Sequence, residues 1–129
     1  MKLTELDAKF YKREMEERTR TLRREDGSTE TVTGPCEIYR PVETLAEADG
    51  VQFLCPLCFA KNGGPVGTHR VLCWFVGKVP DEAEPGPGRW NPSGTGLHDL
   101  TFVPPGAVSV HLTGEGCGWH GLVRNGEAD

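Results

Sequence analysis

Val51-Gln52-Phe53-Leu54-Cys55-Pro56-Leu57-Cys58 and Gly116-Cys117-Gly118-Trp119-His120-Gly121 are the two stretches whose reading decides the fold. The first carries a Cys-x-x-Cys pair and the second a Cys-x-x-His pair, with residues 59–116 between them. Two-residue spacing lets a tight turn bring both side chains to one side of the backbone, so each pair can fill two corners of a tetrahedron. Zinc accepts three thiolates and one imidazole at about 2.0–2.3 Å. The expected ligand set is therefore Cys55, Cys58, Cys117 and His120, with Gly116, Gly118 and Gly121 allowing the second turn to close.

Competing readings of these residues are weaker. A thioredoxin-like redox pair needs its Cys-x-x-Cys at the start of a helix in a βαβ unit. Phe59-Ala60-Lys61-Asn62-Gly63-Gly64-Pro65 after Cys58 argues against such a helix. A zinc deaminase needs His-x-Glu ahead of its cysteine pair, and no histidine precedes Cys55. His69-x-x-x-Cys73 could supply replacement ligands, but Cys73 lies in the apolar run Leu72-Cys73-Trp74, where a cysteine packs as a small hydrophobe. Cys36 is expected to be buried near a turn, and His98 and His111 to be ordinary polar residues. Four protein ligands leave no position for a reactive water, so the ion expected is structural, one per chain.

Outward from the metal pairs, composition explains the need for such a staple. Of 129 residues, 17 are Gly and 10 Pro, and only 36% are hydrophobic. This favours turns, short strands and ordered loops over helices, and a lean core of this kind needs disulfides, a metal or oligomerisation. Five cysteines, an odd number, and an apolar-poor start argue against a secreted disulfide framework. The longest apolar run, Val71 to Val76, suits a strand and not the roughly 20-residue span of a bilayer.

The expected fold is mainly β, α+β with a short N-terminal helix: a small zinc-stapled antiparallel sheet with long Gly/Pro-rich loops. It forms one domain over 1–129, with a variable N-terminal helix and hairpin in 1–40 and the zinc-knuckle core in 41–129. Thr4 with Asp7 resembles a capping box, and Leu3, Leu6 and Phe10 recur at helical spacing, predicting a helix from about Glu5 to Glu14. Asp26-Gly27 predicts a hairpin turn between strands at Thr19 to Glu25 and Ser28 to Thr33. Further strands are expected at Glu37 to Val42, Val51 to Leu54, Arg70 to Val76 (at the sheet centre), Asp99 to Val103, Val108 to Leu112 and Leu122 to Arg124, the last followed by an Asn125-Gly126 turn. Thr44 to Glu47 reads as one capped turn stopped by Gly50. The stretch Gly77 to Gly96 reads as a long ordered loop whose Trp90 docks on the body.

The formal net charge is −5, from 14 basic and 19 acidic side chains. That is the opposite of the basic footprint of a nucleic-acid binder. Arg20, Arg23 and Arg24 could form a basic face, but glutamates surround them and a solvated ribbon is the plainer reading. No nucleophile-base pair, phosphate loop or paired carboxylates stand in a recognisable setting, so a non-enzymatic role is expected.

Beyond its metal pairs, the chain resembles a family of small uncharacterised zinc-knuckle proteins of bacteriophages and prophages. The resemblance covers about Leu45 to Glu127. It rests on Ala48 to Cys58, His69 to Phe75, Pro85-Gly-Pro-Gly-Arg-Trp90, Ser93-Gly-Thr-Gly-Leu97 and, most specifically, Gly116-Cys-Gly-Trp-His-Gly-Leu-Val-Arg-Asn-Gly126. Where relatives carry Pro-Ser this chain has Pro104-Pro105, which counts against a serine-based reaction. The resemblance implies a metal site and an adaptor role with no established activity. The reading that follows is a zinc-stabilised phage or prophage accessory protein acting by protein–protein binding, with a host factor as partner. Trp90, Arg89, Arg20, Arg23 and Arg24 are its candidate contact residues. The expected location is the cytoplasm of a bacterial host cell, with association with the virion left open. The alternative is a nucleic-acid-binding zinc ribbon.

Overall fold

The computed structural model describes residues 1–86, 88–112 and 117–129. Strands dominate, and all ladders between named strands are antiparallel. Strands β1 (Lys9–Arg23), β2 (Thr29–Val42), β3 (Gly50–Leu54) and β4 (Arg70–Trp74) form a four-stranded sheet in the order β2-β1-β3-β4. A helix, α1 (Pro56–Asn62), lies between β3 and β4. Strands β5 (Asn91–Ser93) and β6 (Thr101–Val103) pair with each other. The last sheet runs in the order β7 (Ser109–His111), β8 (His120–Arg124), β9 (Glu127–Ala128). The fold is therefore mainly β, as the composition implies.

The N-terminal helix is not formed as expected. Leu3–Leu6 is a 3-10 turn, ended by Asp7 in the left-handed region at φ 50°. Leu3, Leu6 and Phe10 all enter the core, so their helical spacing is met by a turn followed by a strand. Residues from Lys9 onward, rich in Glu and Arg, are drawn into β1 by the partner strand. β2 supplies Thr31, Val32, Ile38, Tyr39 and Val42, all suited to a pleated surface. Opposite charges also meet, with Arg13–Glu37 at 2.9 Å and Arg40–Glu14 at 3.0 Å. The predicted hairpin exists and is far longer than expected, its ladder running from Phe10↔Val42 to Arg23↔Thr29.

Gly27 closes its tip at φ 86°, while the Asp26 carboxylate accepts hydrogen bonds from the N–H and hydroxyl of Ser28. The Asn125-Gly126 turn likewise uses two positive φ angles, 52° and 75°, to join β8 to β9.

Gly50 has a different role from the helix stop expected of it. It begins β3, and a Cβ there would meet Trp74 Cε3 at 2.5 Å and the Cys73 carbonyl at 2.7 Å. The bare backbone lets the Trp74 ring lie across it and reach the Tyr39 edge at a centroid distance of 5.3 Å. β4 is an edge of its sheet and not the centre. Trp90 covers only its far end, donating its N–H to the Trp74 carbonyl at 3.0 Å. Cys73 is fully buried, as expected, and burial pushes its thiol pKa up. Cys36, by contrast, stands half-exposed in the middle of β2 and not buried by a turn.

The long loop is ordered by Arg89. Its side chain is 8% exposed, and its five N–H donors reach the carbonyls of Val79, Pro80, Ala83, Pro85 and Gly88. A guanidinium has five donors, so each one has an acceptor. This removes Arg89 from the candidate contact residues: it is internal to the loop. Trp90 docks as predicted, its indole N–H donating to the Ser109 carbonyl at 2.9 Å and its ring 5.8 Å from Phe102. Among the described residues no helix is long and apolar enough to cross a membrane.

Candidate metal centre

The site is built where the β3–β4 ladder runs out. Paired positions in this ladder sum to a constant: Gly50 faces Trp74 and Leu54 faces Arg70. One rung further, Cys55 must face His69, and the Cys55 N–H does donate to the His69 carbonyl at 2.9 Å. Cys55 then serves as N-cap of α1, with Pro56 at the first helical position and Cys58 in the first turn. Proline fits there because that position has no intrahelical acceptor for an N–H. Gly63, at φ 69°, ends the helix.

Phe59 to Asn62 thus do continue the helix begun at Pro56, contrary to the sequence reading. The strands it joins are antiparallel, so the unit is not a parallel βαβ crossover. Cys117 approaches from the other sheet, ahead of β8.

The ligand atoms of Cys55, Cys58, His69 and Cys117 all lie within 4.8 Å of one another. Cys55 Sγ is 3.4 Å from Cys117 Sγ, and His69 Nε2 is 3.4 Å from the same sulfur. Metal bonds of about 2.0–2.3 Å imply tetrahedral edges of about 3.3–3.8 Å. Three cysteines and one histidine are therefore placed to hold one metal ion.

The sequence expectation is corrected in one member: His69 stands where His120 was expected. Trp119 turns into the core, 6% exposed, with its ring edge-on to Phe53 at 6.0 Å. His120 opens β8 as its exposed neighbour, paired with His111 across the ladder, and the two rings stack at 4.6 Å. The role expected of Gly116 in the second turn falls outside the described residues, while Gly118 does take a positive φ, 79°.

The local electrostatics favour a cation. Burial pushes the Cys55 thiol up to about 11, with the N–H groups of Cys58 and Leu57 pulling the other way. Partial burial also acts upward on Cys117, but hydrogen bonds from His69, the Trp119 N–H and the neighbouring thiols outweigh it and bring Cys117 down to about 6. Two adjacent thiols so divided hold charge and proton unequally. A divalent cation placed between them displaces that proton, because thiolates are the ligating form.

Of the remaining candidate residues, Arg20, Arg23 and Arg24 lie at the exposed end of the β1–β2 hairpin. Arg24 is paired with Glu30 at 2.7 Å. Comparisons with known protein families, with curated proteins and with solved structures find no match.

Proposed function

We propose that the Cys55, Cys58, His69 and Cys117 group holds one structural zinc, and that the chain is a non-enzymatic phage or prophage accessory protein that binds another protein, a bacterial host factor, in the host cytoplasm. Zinc is favoured because thiolates with one imidazole in a tetrahedron suit it. Four protein ligands close its coordination shell, which supports a structural ion.

The observation that carries the binding role is the β1–β2 ribbon. From Met15 to Thr31 the two strands pair only with each other among the described residues, and most of their side chains are exposed. A lone two-stranded ribbon is marginal in water, and a sheet edge left open is a template for another chain. The two edges differ. The Asp49 N–H donates to the Tyr11 carbonyl and the Arg13 N–H to the Asp49 carboxylate, so odd-numbered residues of β1 face outward. From Met15 to Arg23 that edge has no proline or glycine. On β2 the outward positions include Pro35 and Pro41, which lack an N–H and blunt the edge.

Nucleic acid is the weaker partner. Arg13, Arg18, Arg24 and Arg40 each lie within 3.0 Å of a glutamate. The net charge of −5 adds no long-range attraction for phosphates.

The test is capture from lysogenic cells with the full zinc-loaded chain, run beside a variant with Arg20→Glu and Arg23→Glu. One host protein enriched by the wild type and lost with the variant is expected. No enriched protein, or sub-micromolar DNA or RNA binding at about 150 mM salt that vanishes on changing Arg20, Arg23 and Arg24 to Ala, contradicts it.

A further inference from the structure

Along β1 the charges come in two blocks. Glu14, Glu16 and Glu17 lead, Arg18, Arg20 and Arg23 follow, and Arg24 stands just past the strand. Glu14, Glu16, Arg18 and Arg24 each meet an opposite charge inside the ribbon. Glu17, Arg20 and Arg23 have no ion-pair partner among the described residues. A strand that is acidic at one end and basic at the other complements itself only when reversed, because directly opposed side chains attract or repel by sign. An antiparallel second copy is the arrangement that reverses it.

The backbone allows few registers for such a pair. Met15, Glu17, Thr19, Thr21 and Arg23 turn their N–H and carbonyl groups to the open edge, so a two-fold axis must set odd residues opposite odd ones. The near end of the edge is blocked: β3 pairs with β1 at Lys9 to Tyr11, and the Asp49 carboxylate accepts from the Arg13 N–H. With Thr19 on the axis, Glu25 of the copy would run onto Arg13 and its Asp49, and Arg18 would face Arg20 twice. With Thr21 on the axis, Glu17 would face Glu25 and Arg18 would face Arg24, again twice each.

With Arg20 on the axis both faults disappear. Glu17 then faces Arg23 of the copy, Glu16 faces Arg24 and Thr19 faces Thr21, each pair occurring twice. Glu25 of the copy ends opposite Met15, short of Asp49. Glu17 and Arg23, two of the three charges left over within one chain, become each other's partners. The one like-charged meeting is Arg20 with its copy, at an exposed position.

We infer that the outer edge of β1 pairs with the same edge of a second copy, antiparallel and with Arg20 on the two-fold axis. Two ribbons joined this way form a four-stranded sheet, which removes the marginal state of a lone two-stranded ribbon and covers its unblunted edge. The inference rests on the reading of that edge as a template for another chain, and it makes that chain a second copy. A host protein then meets the joined ribbons and not the bare edge.

The test is sedimentation equilibrium of the full zinc-loaded chain, 14.1 kDa as a single copy, over a concentration series reaching about 1 mM. A mass of two chains is expected at the top of the series. Arg23→Glu should weaken association about tenfold, because the symmetry turns both Glu17–Arg23 pairs into like charges. Adding Glu17→Arg to Arg23→Glu exchanges the two charges and should restore it. Arg20→Thr should strengthen association by removing the like charges on the axis. In the ¹⁵N-labelled chain, deuterium exchange at the Glu17, Thr19, Thr21 and Arg23 amides should slow as concentration rises.

A wild-type chain that stays single throughout overturns the inference, as does association that Arg23→Glu leaves unchanged, which would mark a different surface. Failure of the charge exchange to restore association, or of Arg20→Thr to strengthen it, overturns the register. A single-chain wild type that still captures a host protein sinks the second copy and leaves the host reading standing. Association as described with no host protein captured does the reverse.

Discussion

Arg89→Met tests how far one side chain organises the Gly77 to Gly96 loop. The substitution keeps an unbranched, bulky side chain and removes all five hydrogen bonds to the carbonyls of Val79, Pro80, Ala83, Pro85 and Gly88. A net hydrogen bond contributes about 0.5–1.5 kcal/mol, and one from a charged donor about 1.5–3 kcal/mol. Five summed at face value would exceed any single-site effect usually seen. Several of these carbonyls are only partly buried and recover water when the loop loosens. The expected loss is therefore about 3 kcal/mol. It is read as a shift in the urea midpoint of the zinc-loaded protein at unchanged slope. Trp74 fluorescence should change with it, since its indole N–H donates to the Glu84 carbonyl in the same loop at 2.8 Å. Arg89→Lys should recover only part, because an ammonium has three donors and no planar fork. A loss below about 0.5 kcal/mol, the level of an ordinary surface change, would refute the reasoning.

Two further outcomes follow from the packing and the charges. Gly50→Ala should cost about 1–3 kcal/mol as an overpacked site, since its Cβ would meet Trp74 Cε3 at 2.5 Å; a neutral result in urea titration would show that Trp74 does not lie across it. Hydrogen bonds from the N–H of Thr95 and of Gly96 hold the Asp99 carboxyl below 3.8. A depressed folded-state value contributes stability above the unfolded value near 3.8 and loses it as pH falls through the folded one. Asp99→Asn should therefore flatten part of the acid dependence of the urea midpoint below about pH 4, with wild-type slope there contradicting it.

Much of the fold could be read from residues with strong local preferences. Asp26-Gly27 and Asn125-Gly126 announced their turns because each needs positive φ, and Val51 to Leu54 and Arg70 to Trp74 announced strands by β-branched and aromatic content. The N-terminal ribbon was legible only at its tip. Leu3, Leu6 and Phe10 satisfy a helical period and a turn-then-strand equally well, and the choice was made by β2, a partner distant in sequence. Arg89 looked like a surface contact because nothing local reports that its loop wraps around it. At the metal centre, the three cysteines were legible from their spacing. The histidine was not, because Cys-x-x-His spacing says nothing of which way His120 points once Trp119 turns inward. A signal for His69 was present: it immediately precedes one strand of a pair as Cys55 immediately follows the other, and antiparallel register brings such residues face to face.

The central claim is a single zinc held by Cys55, Cys58, His69 and Cys117, and it is tested most directly by the metal content of wild type, His69→Ala and His120→Ala purified without added metal. The account predicts about one zinc per chain in wild type and in His120→Ala. It predicts loss of zinc in His69→Ala, with unfolding, given the ~10–16 kcal/mol that structural zinc typically contributes. Zinc retained in His69→Ala and lost in His120→Ala would contradict the ligand assignment, and a folded wild-type protein with no zinc would contradict the claim itself.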